Sequence, residues 1–411
     1  MCRGCFAIAR NDVIFKFTKM LTYIQAQEIV TSLAKSFGGE EIALEDADGR
    51  VLAESVPADR DYPPFNRATM DGYAINPWDW EDGVRRFKVQ QVIYAGQVAE
   101  AELSAENCYK IMTGAPVPVS ASAVVRREDA VEVNGIVSFN IGTLKPFQNI
   151  ARKGEDMHHG DVVLQKGMLC NPSAISLLAS LGKVKLKVEK LPKVALFTTG
   201  DEVVEPGMPV SASQIRNGNQ YLLKTLLKKW LIKPAVYKHI PDDKALLKQH
   251  LAEGLDCDMV ITCGGVSAGD ADYLPEVLEG IGVKKLFHKV AIRPGKPIWC
   301  GQMPNGGLVF ALPGNPFSCH VTFKLFIETY LMACFGLPKP TLSQLPLLSA
   351  KAKKVNLDEF FPARLSSEGI LSIAFNSSGD IKSALAADAL AVHPMDVGDL
   401  GVGDRVGFSP L

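Results

Sequence analysis

Residues 257–273 read CDMVITCGGVSAGDADY: an apolar run suited to a buried strand, then a glycine-rich loop that carries two aspartates. The same passage from apolar run to polar, glycine-containing loop occurs at 193–202 (KVALFTTGDE) and at 307–318 (GLVFALPGNPFS). Helical patterns at 220–230 and 244–253 and a strand around Val236 lie between the first two runs. Strand, loop and helix alternating in this way imply a parallel sheet covered on both faces. Loops at the carboxyl ends of such strands converge on one crevice, where these sheets bind ligands. Three such loops therefore predict one shared site.

The composition narrows what that site can bind. The chain has 411 residues, 47% of them hydrophobic, enough for several cores. With 44 basic and 45 acidic residues its net charge is -1, which argues against a broad grip on nucleic acid or anionic lipid and for a small-molecule partner. No uncharged apolar stretch approaches the ~18 residues of a membrane helix. The best, 319–335, is interrupted by Lys324 and Glu328 and reads as a buried helix. The start, MCRGCFAIAR, lacks the apolar core of a secretory signal, so a cytoplasmic protein is expected. Nine scattered cysteines fit reduced, buried thiols rather than a disulfide framework, and the single CxxC at Cys2 and Cys5 reads as part of an extension over residues 1–19.

Outward from the central repeat, a helical pattern begins after a Thr22 N-cap and runs through 37, followed by a short strand at 41–44 and a turn at Asp48-Gly49. Three prolines within 57–66 make that stretch extended. Short β-like runs fill 70–148 and form a small β domain. A helix starts just after Pro172, in a piece read as returning to the first domain. A Leu-Pro-Lys-Pro linker at 337–340 leads to a β module of about 70 residues.

The loops carry the chemistry. In GGVSAGDADY, small residues let backbone N–H groups approach an oxyanion, and Asp270 and Asp272 suit Mg²⁺ held against it; a tight turn with a capping aspartate reads equally well. The Asp201-Glu202 pair of TTGDE suits a metal, a ribose hydroxyl or a helix cap. Asn217-Gly218-Asn219 and Asp242-Asp243 precede helices and read first as caps. In LPGNPFS two prolines stiffen Gly314-Asn315 ahead of a helix that includes Ser318. A Pro-Gly turn separates Arg293 from Lys296 in KVAIRPGKP, so both cations can face one crevice or simply be solvated. GKP at 295–297 is no Walker A motif, there is no GxGxxG and no HExxH, and His158-His159 reads as a surface turn.

Seven stretches occur in one order: PPFNRATMDGYA (63–74), IMTGAPVP (111–118), RKGEDM (152–157), TTGDE, GGVSAGDADY, RPGKP and LPGNPFS. Together they resemble the molybdopterin molybdenumtransferase family of bacterial molybdenum cofactor synthesis, which is similar to the C-terminal domain of gephyrin. SSGDIKSALAADAL (377–390) resembles the family's last domain. The resemblance implies a multidomain α/β plus β protein. Its parts would be an elongated helix/strand domain (20–60 and 150–190), a small β domain (61–149), a doubly wound α/β molybdopterin-binding domain (191–337) and a C-terminal β-barrel-like module (338–411).

It also implies a homodimer that converts adenylylated molybdopterin and molybdate to molybdenum cofactor and AMP, with Mg²⁺ as cofactor and a molybdopterin adenylyltransferase as a partner. The family's acids correspond to Asp71, Asp156, Glu202, Asp242 and Asp272, joined by Thr113. Glu202, Asp242 and Asp272 are assigned to metal or substrate positioning, and Asp71 to a wall that one subunit offers the other. Substrate would meet Gly200, Asp201 and Asn217, then Gly264, Gly265, Ser267 and Asp270, then Pro313, Gly314, Asn315 and Pro316. Molybdate would sit among Ser267, Arg293, Lys296 and Ser318, with Lys289 as a further candidate. Asn66-Arg67-Ala68-Thr69 stand where the family often has Asp-Asn-Ser-Ala, and Arg293 stands for a common lysine, which keeps the charge and changes its geometry. Alternative readings are a molybdopterin adenylyltransferase, a tungstate-specific paralogue and a scaffold protein that has kept the fold.

Overall fold

A computed structural model describes residues 20–266, 273–382 and 384–411. The chain divides into two compact units, one taking residues up to Glu40 together with Glu189–Leu411, the other Glu41–Val188.

The first unit is built on a six-stranded sheet. Its order is Val236–Ile240, Val194–Thr199, Met259–Cys263, Leu308–Leu312, Trp299–Gln302, Lys284–His288. Every residue of Val194–Thr199, Met259–Cys263 and Leu308–Leu312 is buried, as continuous apolar runs in the middle of a two-sided sheet require. Alternation within the runs divides the faces: Ala195, Phe197, Val260, Val309 and Ala311 pack with Leu247 and Leu251 of the helix Lys244–Gly254 and with Leu274, Val277 and Leu278 of Leu274–Gly280.

Four of these strands run parallel. Trp299–Gln302 is antiparallel to both of its neighbours, so it alone runs against the direction of the other five strands. This corrects the expectation of a wholly parallel sheet. The cause is the connection 303–307, closed by Met303 N donating to Gly307 O at 2.7 Å, which is too short for a crossover and long enough for a hairpin.

Helix ends follow their capping chemistry. Asn217 Oδ1 accepts from Gln220 N at 3.2 Å at the head of Gly218–Lys229, and Asp243 Oδ1 accepts from Ala245 N and Leu246 N at the head of Lys244–Gly254. The first helix, Tyr23–Ser32, has a full capping box of Thr22 and Gln25 and stops sooner than its apolar pattern; the chain turns at Gly38, φ +93°, into the strand Gly39–Ala43. The buried C-terminal helix of the sheet domain runs through Pro316–Thr322, a π-helical stretch Phe323–Glu328 and Thr329–Cys334. Gln27 Nε2 donates to Leu325 O, a carbonyl of that π-helical stretch, at 2.8 Å.

A second β layer of this unit joins Ile292–Arg293, Asp358–Leu365, Ala389–His393, Arg405–Pro410 and Ser343–Pro346 in that order, with Ile370–Ser372 on Asp358–Leu365. A bridge between Leu347 and Ile370 brings the strands back on one another around Phe361, Ala363, Ala391, Val406 and Phe408. The parallel pairing of Ile292–Arg293 with Asp358 and Glu359 fastens the RPGKP turn to this layer.

The second unit contains a six-stranded sheet in the order Ala123–Arg126, Gly72–Ile75, Asn107–Ile111, Arg86–Ile93, Ile136–Phe139, Ala130–Val133. Its two faces carry separate cores, one with Ala74, Tyr109 and Val124, the other with Tyr73, Phe87 and Val125. A third core gathers Leu52, Val56, Leu164, Leu186 and Val188 around Leu178 of the helix Pro172–Ser180. No helix among the described residues is long and apolar enough to cross a membrane.

Candidate active site

The four parallel strands end at Thr199, Ile240, Cys263 and Leu312, so the loops after them share one edge of the sheet. Gly264 N donates to Leu312 O at 3.1 Å, and the direction a Gly314 Cβ would take leads to Gly264 Cα at 3.7 Å. Gly264 has φ +104°, and a Cβ on it would meet Thr199 Oγ1 at 2.6 Å. Glycine is needed here for close approach as well as for backbone conformation. Beneath the loops, Cys263 Sγ lies 3.5 Å from Pro313 O and 3.7 Å from Cys319 Sγ.

The TTGDE loop is held from the neighbouring strand. Asp201 Oδ1 accepts from Asp242 N at 3.0 Å, joining two of the expected acidic positions. Asp201 and Glu202 are exposed and Asp242 is half-buried. Asn217, 3% exposed, caps its helix and donates through Nδ2 to Thr198 Oγ1 at 3.0 Å and to Glu205 Oε1 at 3.2 Å. Tyr237 also donates to Glu205 Oε1, at 3.0 Å. Burial, with Glu205 beside it, pushes the Tyr237 phenol up.

In the third loop Asn315 Nδ2 donates to Ser378 Oγ at 2.9 Å, and Phe317 N to Ser378 O at 3.2 Å, so the SSGD stretch of the C-terminal layer meets LPGNPFS directly. Pro316 opens the helix, and Ser318 is 3% exposed with its carbonyl taken by Thr322 Oγ1 at 2.8 Å. Lys289, Arg293 and Lys296 lie together on one excursion, closed by Val290 N to Lys296 O and Lys289 N to Ile298 O. Arg293 and Lys296 are exposed; Lys289 is half-buried.

A cavity of about 160 Å³ opens beside Arg293, lined also by Lys351, Lys354, Glu359, Asn376, Ser377 and Ser378. Burial pushes the Lys351 ammonium below its ordinary range; its Nζ is 4.0 Å from Glu359 Oε2 and lies over the Phe361 ring at 4.7 Å. Glu359 is committed elsewhere, since its Oε1 accepts from Lys354 N and Val355 N. Cations with hydroxyls and an amide around a small polar hollow suit a tetrahedral oxyanion.

Asp71, Thr113 and Asp156 belong to the other unit, with Asp71 Oδ1 accepting from both Thr113 N and Thr113 Oγ1 at 2.7 Å. These two donors, with Arg127 nearby, hold the Asp71 carboxyl below the usual carboxylate range. Asp156 is exposed, in a turn whose N–H donates to Tyr62 O. Ser267, Asp270 and Asp272 lie outside the described residues. Among the described residues no three His, Cys, Asp or Glu side chains gather as a metal site. Glu202 and Asp242 offer the hard carboxylate oxygens that suit Mg²⁺.

Sequence reasoning passed over several residues that the structure brings to the site. Asn219 Nδ2 donates to Gly314 O at 2.6 Å, while its Oδ1 and Thr199 Oγ1 are buried without a hydrogen-bond partner among the described residues. Asn219 had a signal, standing in Asn217-Gly218-Asn219. Lys351, Lys354 and His239 had none.

Two family models cover most of the chain: the MoeA N-terminal region (domain I and II) matches residues 21–182, and a probable molybdopterin binding domain matches 195–333. Over 384 residues, 90% of each chain, the sequence is 34% identical to a molybdopterin molybdenumtransferase of Staphylococcus aureus strain Mu50. The chain belongs to the molybdopterin molybdenumtransferase family. A relative of that name from Staphylococcus epidermidis strain ATCC 12228 is 35% identical over 368 residues, 86% of each chain. The structure of a MoeA protein from Pyrococcus horikoshii OT3 superposes with a TM-score of 0.83 at 28% identity, covering 96% of this chain and all of that one. A second MoeA structure from that organism gives 0.79 at 30% identity, over 95% and 99% of the two chains. The protein is therefore a transferase of molybdenum cofactor biosynthesis. The match over residues 21–182 accounts for MDGYA and IMTGAP, which the adenylyltransferase reading leaves unexplained.

Proposed function

We propose that this molybdopterin molybdenumtransferase takes adenylylated molybdopterin and molybdate and yields molybdenum cofactor and AMP. The observation that carries this reading is the meeting of three glycine-bearing loops with a cationic hollow: Gly264 lies against Thr199 and Gly314, and the LPGNPFS loop bonds to Ser378, which lines the hollow beside Arg293. Backbone N–H groups and the buried Thr199 and Asn219 oxygens would orient the pterin nucleotide. Arg293 and Lys351, with Lys296, Lys289 and Ser318 close in sequence to Arg293 or on the adjoining helix, would hold the oxyanion.

Glu202 and Asp242, with Asp272, would hold Mg²⁺, which when bound neutralises bridging phosphates. Asp201 keeps the loop of Asp242 in place through its N–H. Asp71 and Asp156 belong to the other unit, and a homodimer would supply Asp71 as a wall for its partner's site. The domain limits 20–60 with 150–190, 61–149, 191–337 and 338–411, cytoplasmic location and receipt of substrate from a molybdopterin adenylyltransferase complete the reading.

The test is AMP release from adenylylated molybdopterin by purified protein with Mg²⁺, with and without molybdate, in the wild type and Asp272→Asn. Molybdate-dependent release that is lost in the variant supports the reading. No release from folded wild type ends it. Tungstate in place of molybdate distinguishes the two oxyanions.

A further inference from the structure

His239 is on the edge strand Val236–Ile240, in parallel register beside Thr198. Its Nδ1 lies 3.0 Å from Thr198 Oγ1 and its Nε2 3.1 Å from Gly200 O. A carbonyl oxygen only accepts, so Nε2 carries the hydrogen, and in the neutral ring Nδ1 accepts from the Thr198 hydroxyl. Thr198 Oγ1 in turn accepts from Asn217 Nδ2, whose own Oδ1 caps a helix. A directed chain of hydrogen bonds thus runs from a helix N-terminus through Asn217, Thr198 and His239 to the carbonyl of Gly200.

That carbonyl belongs to the peptide that leads into Asp201 and Glu202. Gly200 has φ +128°, and a Cβ on it would meet Glu202 Oε2 at 2.7 Å, so the Glu202 carboxylate lies against the Gly200 Cα. Turning the Gly200–Asp201 peptide would move both acids, and Asp201 holds Asp242 N. We propose that His239 is a positioning residue: by donating to Gly200 O it fixes the acidic loop in the orientation that meets substrate. Both ring nitrogens are occupied by this task, so the imidazole acts through Glu202 and Asp201 and not on the substrate.

The inference rests on the proposed function for its consequence in turnover, while the hold on the loop stands apart from it. The test compares His239→Leu, which loses both bonds, His239→Gln, whose Nε2 restores the donor to Gly200 O, and His239→Asn, which reaches only toward Thr198. Hydrogen exchange of the backbone over residues 200–205 is followed without substrate, and kcat and KM for AMP release are measured with molybdate.

The expected result is exchange faster by about tenfold or more in the Leu and Asn variants and near wild type in Gln. In parallel kcat falls about 10- to 100-fold in Leu and Asn, with the molybdate KM unchanged, and recovers in Gln. Glutamine behaving like leucine, unchanged loop exchange in leucine, or a rise in molybdate KM with kcat intact overturns it. If the Leu variant does not fold, Gln against Asn decides. Wild type that releases no AMP defeats the functional reading, and the exchange comparison still decides what His239 does.

Discussion

Asp71 Oδ1 accepts two hydrogen bonds from one residue, the backbone N–H and the hydroxyl of Thr113, both at 2.7 Å. The pair ties the MDGYA stretch to IMTGAP across 42 residues and fixes one carboxylate oxygen while the carboxyl stays exposed. The backbone donor contributes most to the lowered Asp71 pKa and the hydroxyl next. Thr113→Ala is therefore expected to raise the Asp71 pKa part of the way back to 3.8, and Thr113→Ser to leave it low. A depressed carboxyl contributes stability above its unfolded pKa and loses it as pH falls through the folded value, so the Ala variant gives up that contribution at higher pH. Carboxyl NMR titration checks this; an unchanged Asp71 pKa in the Ala variant would show that the hydroxyl does not act.

The two glycines of the second loop differ in what surrounds them. A Cβ on Gly264 would stand 2.6 Å from Thr199 Oγ1 and 2.9 Å from Thr199 O, whereas one on Gly265 comes no closer than 3.3 Å, although φ is positive at both. Gly264→Ala should cost roughly 2 kcal/mol or more and Gly265→Ala about 1 kcal/mol. Urea unfolding of the two variants separates steric crowding from backbone strain, and equal costs would mean that the Thr199 contact is unimportant.

What was legible in the sequence is what depends on short stretches. Val194–Thr199, Met259–Cys263 and Leu308–Leu312 announce themselves as continuous apolar runs, and Asn217 and Asp243 as caps ahead of helices. Antiparallel pairing of Trp299–Gln302 was hidden because a strand's direction depends on how its connection closes, not on its residues. The bond from His239 to Gly200 depends on the register of two strands about 40 residues apart. Lys351 meets Arg293 only because Ile292–Arg293 leaves the α/β sheet to pair with Asp358 and Glu359. No local pattern encodes such a crossing.

Lys351 and Lys353 stand two residues apart and are put to different uses. Lys353 Nζ is taken by three carbonyls, Leu357 O at 2.9 Å, His393 O at 3.2 Å and Pro394 O at 2.5 Å. Lys351 lines the hollow beside Arg293, and its Nζ is at the long distance of 4.0 Å from Glu359 Oε2. On the proposed oxyanion assignment, Lys351→Met raises the half-saturating molybdate concentration about tenfold, the loss of one charge-assisted contact. Lys353→Met lowers the melting temperature and leaves that concentration near wild type. Saturation curves for AMP release check the contrast; a Lys351 variant that saturates like wild type removes this residue from the oxyanion site.

His320, in the helix Pro316–Thr322, provides a test of acid sensitivity. Its Nε2 is buried without a hydrogen-bond partner among the described residues, and burial, followed by Lys229 and Lys324, lowers its pKa from 6.5 to about 4. The folded state thus favours the neutral ring, and the unfolded chain takes up a proton first as pH falls. The contribution is whole above pH 6.5 and is lost between 6.5 and about 4. At ~1.4 kcal/mol per unit of pKa difference the loss reaches about 3 kcal/mol. His320→Leu removes the titration, so its unfolding free energy should fall less than that of the wild type between pH 7.5 and 4.5. Taking the difference between the two proteins cancels the other titrating groups, His288 included. Urea midpoints measured across that range provide the check: the difference between the two proteins is expected to move in favour of the Leu variant as pH falls, and parallel curves would place the His320 ring in a better solvated setting than the structure gives it.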